Sequence, residues 1–352
     1  MKTPDGATDI APGFEHPQHF SDLDGLRGLL ALSVVFYHYG INAIIQRASS
    51  GRMNGFIFDL SVDFFFLLSG YVLAYSMRNR KPTTSAFTIK RAFRLLPVYF
   101  LTLSVMIAMT WWTSKDVPYL THAPSTWDIV SDLLLIAPVT RGTSLNLPAW
   151  SVAYEFFLPI IAVALSRPFG KIFRVYSGLF VIAGCLGLSY TAFHLTGEDQ
   201  HHTERAIYGL GGGCALYLAV PRLKFPSVLF TSAAMYGLIA AMLVVMFLAG
   251  WIKPFAVLFP WIAIMTIVAG TRTRTILSSP PLAALGHLSY TLYMVHIPVL
   301  VASTLIFGGI SGSMFIKGGT MLSALVAAAI LTVLIERPTM AIGNAMAKAR
   351  PA

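Results

Sequence analysis

The sequence predicts an all-α, polytopic integral membrane protein with about ten transmembrane helices and both termini in the cytoplasm. Three observations carry that class. Of the 352 residues, 56% are hydrophobic and only 11% are charged, whereas soluble domains are roughly a quarter charged. Apolar runs of about 17 to 25 residues recur along most of the chain, the length that crosses a hydrocarbon core of about 30 Å. The runs do not alternate polar with apolar residues, which excludes a closed barrel.

Taken in order, residues 1–20 are polar, contain Pro4, Pro12 and Pro17, and lack an apolar stretch, so they read as a flexible cytoplasmic tail and not as a signal peptide. Ten spans follow, at 25–45, 57–77, 93–113, 147–166, 174–194, 204–220, 228–250, 254–270, 282–307 and 315–335. The stretch Trp127 to Thr140 is too short to cross and reads as an interfacial or re-entrant piece. One membrane domain, 21–340, is expected, with a cytoplasmic tail at 341–352. No internal repeat is evident, which weakens an inverted-repeat transporter reading.

Charge sets the orientation. With the N-terminus inside, seventeen of the 25 Lys and Arg fall in cytoplasmic segments, seven outside, Arg205 and Lys317 among them, and Arg27 lies within the first span. That bias follows the positive-inside rule. It also accounts for the net charge of +10 without a nucleic-acid partner. Cys185 and Cys214 sit in apolar segments and read as small core residues.

The polar residues inside the spans carry the chemistry, because ionisable groups are costly in lipid. In DGLRGLLALSVVFYHY, Arg27 and His38 are eleven residues apart. That spacing puts both on one helix face, separated by about 16 Å along the axis. Arg27 alone could be an interfacial anchor; His38 lies past the midplane. Counting about 1.5 Å per residue from each span's start, His38, Asp63, Glu155 and His296 fall at one level in the outer half of the membrane. Two imidazoles and two carboxylates there could satisfy one another. Such a set could also ligate zinc, but no His-x-x-x-His pair occurs on one helix, and no metal is expected. His201 and His202 read as solvated loop residues.

At the cytoplasmic side, KRAFRLLPVYF places Arg91 and Arg94 one turn apart where the third span begins. Guanidinium groups grip phosphate bidentately, so Arg27, Arg91 and Arg94 could form a phosphate-binding mouth. Lys81 and Lys90 read as topology anchors. In SVDFFFLLSG the aromatics read as packing, and Gly70 as a site of close helix approach. In LNLPAWSVAYEFFLP, Ser151 and Glu155 share a face. Gly211, Gly212 and Gly213 follow no strand and read as helix packing or a break, not a dinucleotide loop. No nucleophile elbow appears.

These motifs together resemble the membrane-bound acyltransferase-3 family, which includes bacterial O-antigen and exopolysaccharide O-acetyltransferases. LDGLRGLLALSVVFYHYG is similar to the family's first helix, with Arg27 and His38; SVDFFFLLSGYVL to its second-helix motif, with Asp63, Ser69 and Gly70; and KRAFRLLPVYF supplies its Arg-x-x-Arg as Arg91 and Arg94. LPAWSVAYEFFLP is similar to its Trp-Ser-x-x-x-Glu segment, with Trp150, Ser151 and Glu155. LGHLSYTLYMVHIPV is similar to its ninth-helix signature, with Ser289, Tyr290, Tyr293 and His296, and the closing Glu336 to Pro338 is family-like. The resemblance implies ten transmembrane helices. Some members add an extracytoplasmic hydrolase-like domain after the last span. This chain stops there, so acceptor selection is expected from the membrane domain or a partner.

The resemblance further implies a cytoplasmic acyl-CoA donor, usually acetyl-CoA, and an acceptor hydroxyl, expected on a saccharide or a lipid-linked saccharide, in a bacterial inner membrane. Arg27, Arg91 and Arg94 would take the phosphates of CoA, and its arm would follow the Arg27–His38 face. His38 would act as general base, with Glu155 or Asp63 holding its other ring nitrogen. Ser151, Tyr290, Tyr293 and His296 are candidates for contacting substrate or the oxyanion. A covalent acyl-His38 step stays open. The competing reading is a proton-coupled transporter or flippase using the same buried groups.

Overall fold

The structure, a computed structural model, describes residues 18–40, 61–113, 117–120, 123–140, 144–177, 202–219, 275–308 and 313–349, with a few more between 179 and 187 and between 231 and 240. The expected span at 254–270, and most of those at 174–194 and 228–250, lie outside the described residues. In order, the helices are α1 (Gln18–His38), α2 (Ser61–Asn79), α3 (Thr84–Trp112), α4 (Thr126–Leu133), α5 (Ala149–Val175), α6 (His202–Ala219), α7 (Pro280–Phe307), α8 (Met314–Leu331) and α9 (Arg337–Lys348). No strand occurs among the described residues. Four stretches, Thr84–Trp112, Ala149–Ser166, Pro280–Phe307 and Met314–Lys348, are long and apolar enough to cross a membrane. The eight residues of α4 are not, as the sequence predicts for Trp127 to Thr140; its start is fixed by a capping box between Ser125 and Asp128.

Two parallel helix pairs hold the site. Lipid-embedded helices gain nothing from burying apolar groups against each other, so close backbone approach must supply the packing. In α1 and α7 glycines allow it: a Cβ on Gly28 would stand 2.6 Å from the Gly286 nitrogen, and one on Gly286 would stand 2.1 Å from the Asp24 carbonyl oxygen. In α2 and α6, a Cβ on Gly70 would meet the Leu210 oxygen at 2.0 Å, and one on Gly213 the Leu67 oxygen at 1.9 Å. Gly70 thus has the packing role expected of it, and Gly211 to Gly213 lie within a continuous helix. α3 and α5 bridge the pairs and run antiparallel: Arg91 meets Glu155 near one end, and Thr102 meets Asn146 near the other.

Two boundaries differ from expectation in ways that matter. The third helix begins at Thr84, about nine residues early, because the Thr83 hydroxyl accepts from the Ala86 amide and caps it. Arg91 therefore lies about 10 Å inside its helix and not at its mouth. The last helix runs past 335. A π turn at Thr332–Glu336 joins α8 to α9, and α9 packs on α3, with Gly343 against Phe93. The segment from 341, expected as a tail, is thus helical as far as Lys348.

Candidate functional site

Arg27, Arg91 and Arg94 do converge. They line a cavity of about 630 Å³ walled by α1, α2, α3, α5, α7 and α9. Its α2 wall runs from Val62 to Ser76, about 21 Å of helix. The end near the α2–α3 turn carries Arg80 and Lys90; the other reaches Ser151 and Tyr293. Lys90, read from sequence as an anchor, is therefore a wall residue.

The three guanidinium groups are held differently. Arg27 donates from Nε to Ser289 Oγ (2.8 Å) and from Nη2 to the Gly286 carbonyl (2.8 Å), with Asp24 Oδ1 at 3.2 Å. Arg91 donates from Nε to the Glu155 carbonyl, and its Nη2 lies 3.9 Å from Glu155 Oε2. Arg94 makes no hydrogen bond or ion pair among the described residues. Of the three, it has the most donor capacity left for an anion in the cavity.

His38 and His296 also come together, their ring centres 5.2 Å apart and tilted by 41°. His38 closes α1: Gly40, at φ 75°, turns the chain out of the helix two residues later. The ring of Tyr119 stands edge-on to His38 at 5.3 Å. Tyr119 has φ 67°, a left-handed backbone that costs a bulky residue about 1–3 kcal/mol. Burial pushes its phenol pKa up.

α7 shapes the His296 side. Pro298 has no amide hydrogen, so the Met294 carbonyl lacks its usual helical donor. The Asn146 side chain supplies one, its Nδ2 donating to Met294 O at 3.1 Å. His296 is fully buried, with Nδ1 2.7 Å from the Tyr293 carbonyl. Tyr39 donates to the His296 carbonyl at 2.9 Å, tying the end of α1 to the same turn. Tyr293 joins the two regions. Its ring lies 5.9 Å from that of His296, its hydroxyl is 3.2 Å from Ser151 Oγ, and it lines the cavity.

The two carboxylates expected beside the histidines are each given an arginine. Asp63 accepts from Arg205 Nε at 2.9 Å and Nη2 at 3.2 Å, with both side chains buried. Arg205, counted from sequence among the outside charges at the start of the span 204–220, lies in the first turn of α6. Its guanidinium carbon lies 5.3 Å from the Trp150 ring, whose other neighbours include His202, stacked at 3.9 Å. His202 is therefore a packed residue, not a solvated one. For Asp63 the physical reason is that a buried carboxylate is stabilised more by a guanidinium fork than by neutral imidazoles; half-buried Glu155 has only the longer approach of Arg91. Equal depth along separate helices does not say which neighbour each side chain faces.

Tyr290 donates its hydroxyl proton to the Leu95 carbonyl at 2.6 Å, so that proton is committed to packing α7 on α3. Sequence reasoning passed over Tyr119 and Asn146, and the burial of Glu336. Glu336 is buried and accepts from Thr291 Oγ1 at 2.6 Å. A carboxylate at the end of an apolar span was the available signal for Glu336. Nothing local marks Tyr119. Among the described residues, no three His, Cys, Asp or Glu side chains gather as a metal centre.

The chain is 28% identical over 338 residues to BcsY of Komagataeibacter xylinus, provisionally named a membrane-bound transacylase, covering 90% of this chain and 82% of that protein. It is 24% identical over 340 residues to the O-acetyltransferase OatA of Staphylococcus aureus, covering 81% of this chain. It spans about half of OatA, 51% of that protein's length. No solved structure matches it. A family model described as an acyltransferase domain, acyltransferase-3, matches residues 20–336, a range that includes Arg27, Arg91, Arg94, His38 and His296: the chain belongs to the acyltransferase-3 family.

Proposed function

We propose that this protein is a bacterial inner-membrane O-acyltransferase that moves an acyl group, foremost acetyl, from cytoplasmic acyl-CoA to a hydroxyl of a saccharide or lipid-linked saccharide. The observation that carries the reading is the cavity itself: cationic side chains at one end and Tyr293, the neighbour of His296, at the other. Its length suits a thioester on a long arm with phosphates at the tail. Arg94 takes the leading part in holding those phosphates, with Arg80 and Lys90 beside it. Arg27 and Arg91 contribute charge while fixed to α7 and α5. Glu155 and Asp63 act by positioning Arg91 and Arg205.

At the far end His38 takes the proton of the acceptor hydroxyl. The oxygen attacks the thioester carbonyl, the carbon–sulfur bond breaks, and the leaving thiolate recovers the proton from His38. Ser151 and Tyr293 are the nearest donors for the oxyanion.

The test separates binding from chemistry. Acetyl-CoA should raise the melting temperature of the purified protein, as any ligand of the native state does. Arg94→Ala should lose that rise. His38→Ala should keep it and lose thiol release from acetyl-CoA. A melting temperature indifferent to acetyl-CoA, or full turnover by His38→Ala, would overturn the reading.

A further inference from the structure

We infer that His296 is a positioning residue for the transfer, the neutral imidazole that holds His38 in its reactive tautomer. The inference rests on reading His38 as the base. A histidine base works when its second ring nitrogen is held, commonly by a carboxylate that fixes the tautomer and stabilises the imidazolium as it forms. Here Asp63 is gripped by Arg205 and Glu155 faces Arg91. The side chain that stands beside His38 from α7 is His296.

Its own tautomer is set by geometry. A backbone carbonyl only accepts, so the 2.7 Å contact to the Tyr293 oxygen requires the hydrogen on His296 Nδ1. Nε2 then carries the lone pair. That atom is buried and accepts no hydrogen bond among the described residues. Two imidazoles bonded end to end have ring centres roughly 5 Å apart, and the observed separation is 5.2 Å. At this separation and tilt the two nitrogens are not yet bonded, and a small rotation of the rings would let His38 donate N–H to His296 Nε2 and present its other nitrogen, as a lone pair, to the acceptor hydroxyl.

The proton balance is simple. The hydroxyl O–H breaks and an N–H forms on His38; the ester C–O forms and the thioester C–S breaks; the thiolate leaves with the proton from His38. His296 keeps its Nδ1 hydrogen throughout, and no proton ends on it. A neutral partner suits this depth, since an unpaired carboxylate in the same place would be costly to bury. Pro298, Asn146 and Tyr39 hold the turn that carries it.

The experiment uses the full-length protein in vesicles with acetyl-CoA and a methyl glycoside as acceptor, and reads thiol release. His296→Leu removes the acceptor nitrogen. It should lower kcat by about 100-fold, leave KM for acetyl-CoA within about twofold, and keep the acetyl-CoA-dependent rise in melting temperature. In His296→Gln the side-chain oxygen can accept in place of Nε2, so a large part of kcat should return. The double variant with His38→Ala should be no slower than His38→Ala alone, because His296 acts only through His38. Near-normal kcat in His296→Leu, equal loss in the Leu and Gln variants, or multiplied losses in the double variant would each overturn the inference while the acyl-transfer reading stands. If His296→Leu does not insert, His296→Met makes the same comparison against Gln. No thiol release from the unaltered protein would remove both readings together.

Discussion

Asp132 shows what burial does to one side chain, and it does so outside the spanning helices. It ends α4, is almost wholly buried, and accepts the Leu145 amide at 2.7 Å and the Ser144 hydroxyl at 3.4 Å. Burial pushes its pKa up from the ordinary 3.8 to about 6, against the pull of those two hydrogen bonds. The folded protein therefore holds this proton more tightly than the unfolded chain. From Asp132 alone, stability should be greatest below pH 4, fall as pH rises to about 6, and level off above. The melting temperature of detergent-purified protein should be lower at pH 7 than at pH 5, and Asp132→Asn, which keeps an acceptor without the charge, should shrink that difference. An unchanged difference in Asp132→Asn would assign the pH dependence to other groups. The Arg205–Asp63 pair is the contrasting case, a buried carboxylate that has a cation and two charge-assisted hydrogen bonds.

Helix pairing was partly legible in the sequence, and the glycines explain how far. Gly70 could be recognised because a small residue in an apolar run has few other uses. Its partner could not, since the Leu210 carbonyl it meets lies some 140 residues away. The same limit applied to the site. Periodicity along α1 put Arg27 and His38 on one face, and both do face α7. Depth counting brought His38 and His296 together, but it could not see that Arg205, within the expected span 204–220, turns its guanidinium onto Asp63, or that Thr83 starts α3 early and Arg91 lies beside Glu155. At this scale glycine substitution gives a sharp contrast. Gly286→Ala places a Cβ 2.1 Å from the Asp24 carbonyl oxygen, where only a backbone shift can relieve the contact. It should destabilise by about 1–3 kcal/mol and loosen the Arg27–Gly286 bond. Gly211→Ala meets nothing within 4 Å and should stabilise α6 by about 0.5–1 kcal/mol. Thermal unfolding of the two variants side by side tests it; equal effects would mean that α1 and α7 are not so closely packed.

Across the whole molecule, the proposed function separates a place that holds charge, the arginine cavity, from a place that would break bonds, the histidine pair. Tyr293 touches both regions: its hydroxyl is 3.2 Å from Ser151 Oγ in the cavity wall, and its ring is 5.9 Å from that of His296. On the proposed mechanism the acyl group passes this neck of two hydroxyls to reach His38, whereas the phosphates behind it do not. Ser151 is buried and lines the cavity, so a larger apolar side chain there intrudes on the path without touching the arginines. Ser151→Leu should therefore keep the stabilisation by acetyl-CoA and lose transfer. Ser151→Ala opens no block and removes only one donor; it should retain transfer to within about 100-fold, the scale of a single oxyanion contact. The measurement is thiol release together with the acetyl-CoA-dependent melting shift for both variants. If Ser151→Leu transferred as well as Ser151→Ala, the acyl group would have to reach the imidazoles by another path, and the cavity would not be the donor's route. If it lost binding along with transfer, the neck would belong to the phosphate site, and the two functions would not be separated along the cavity.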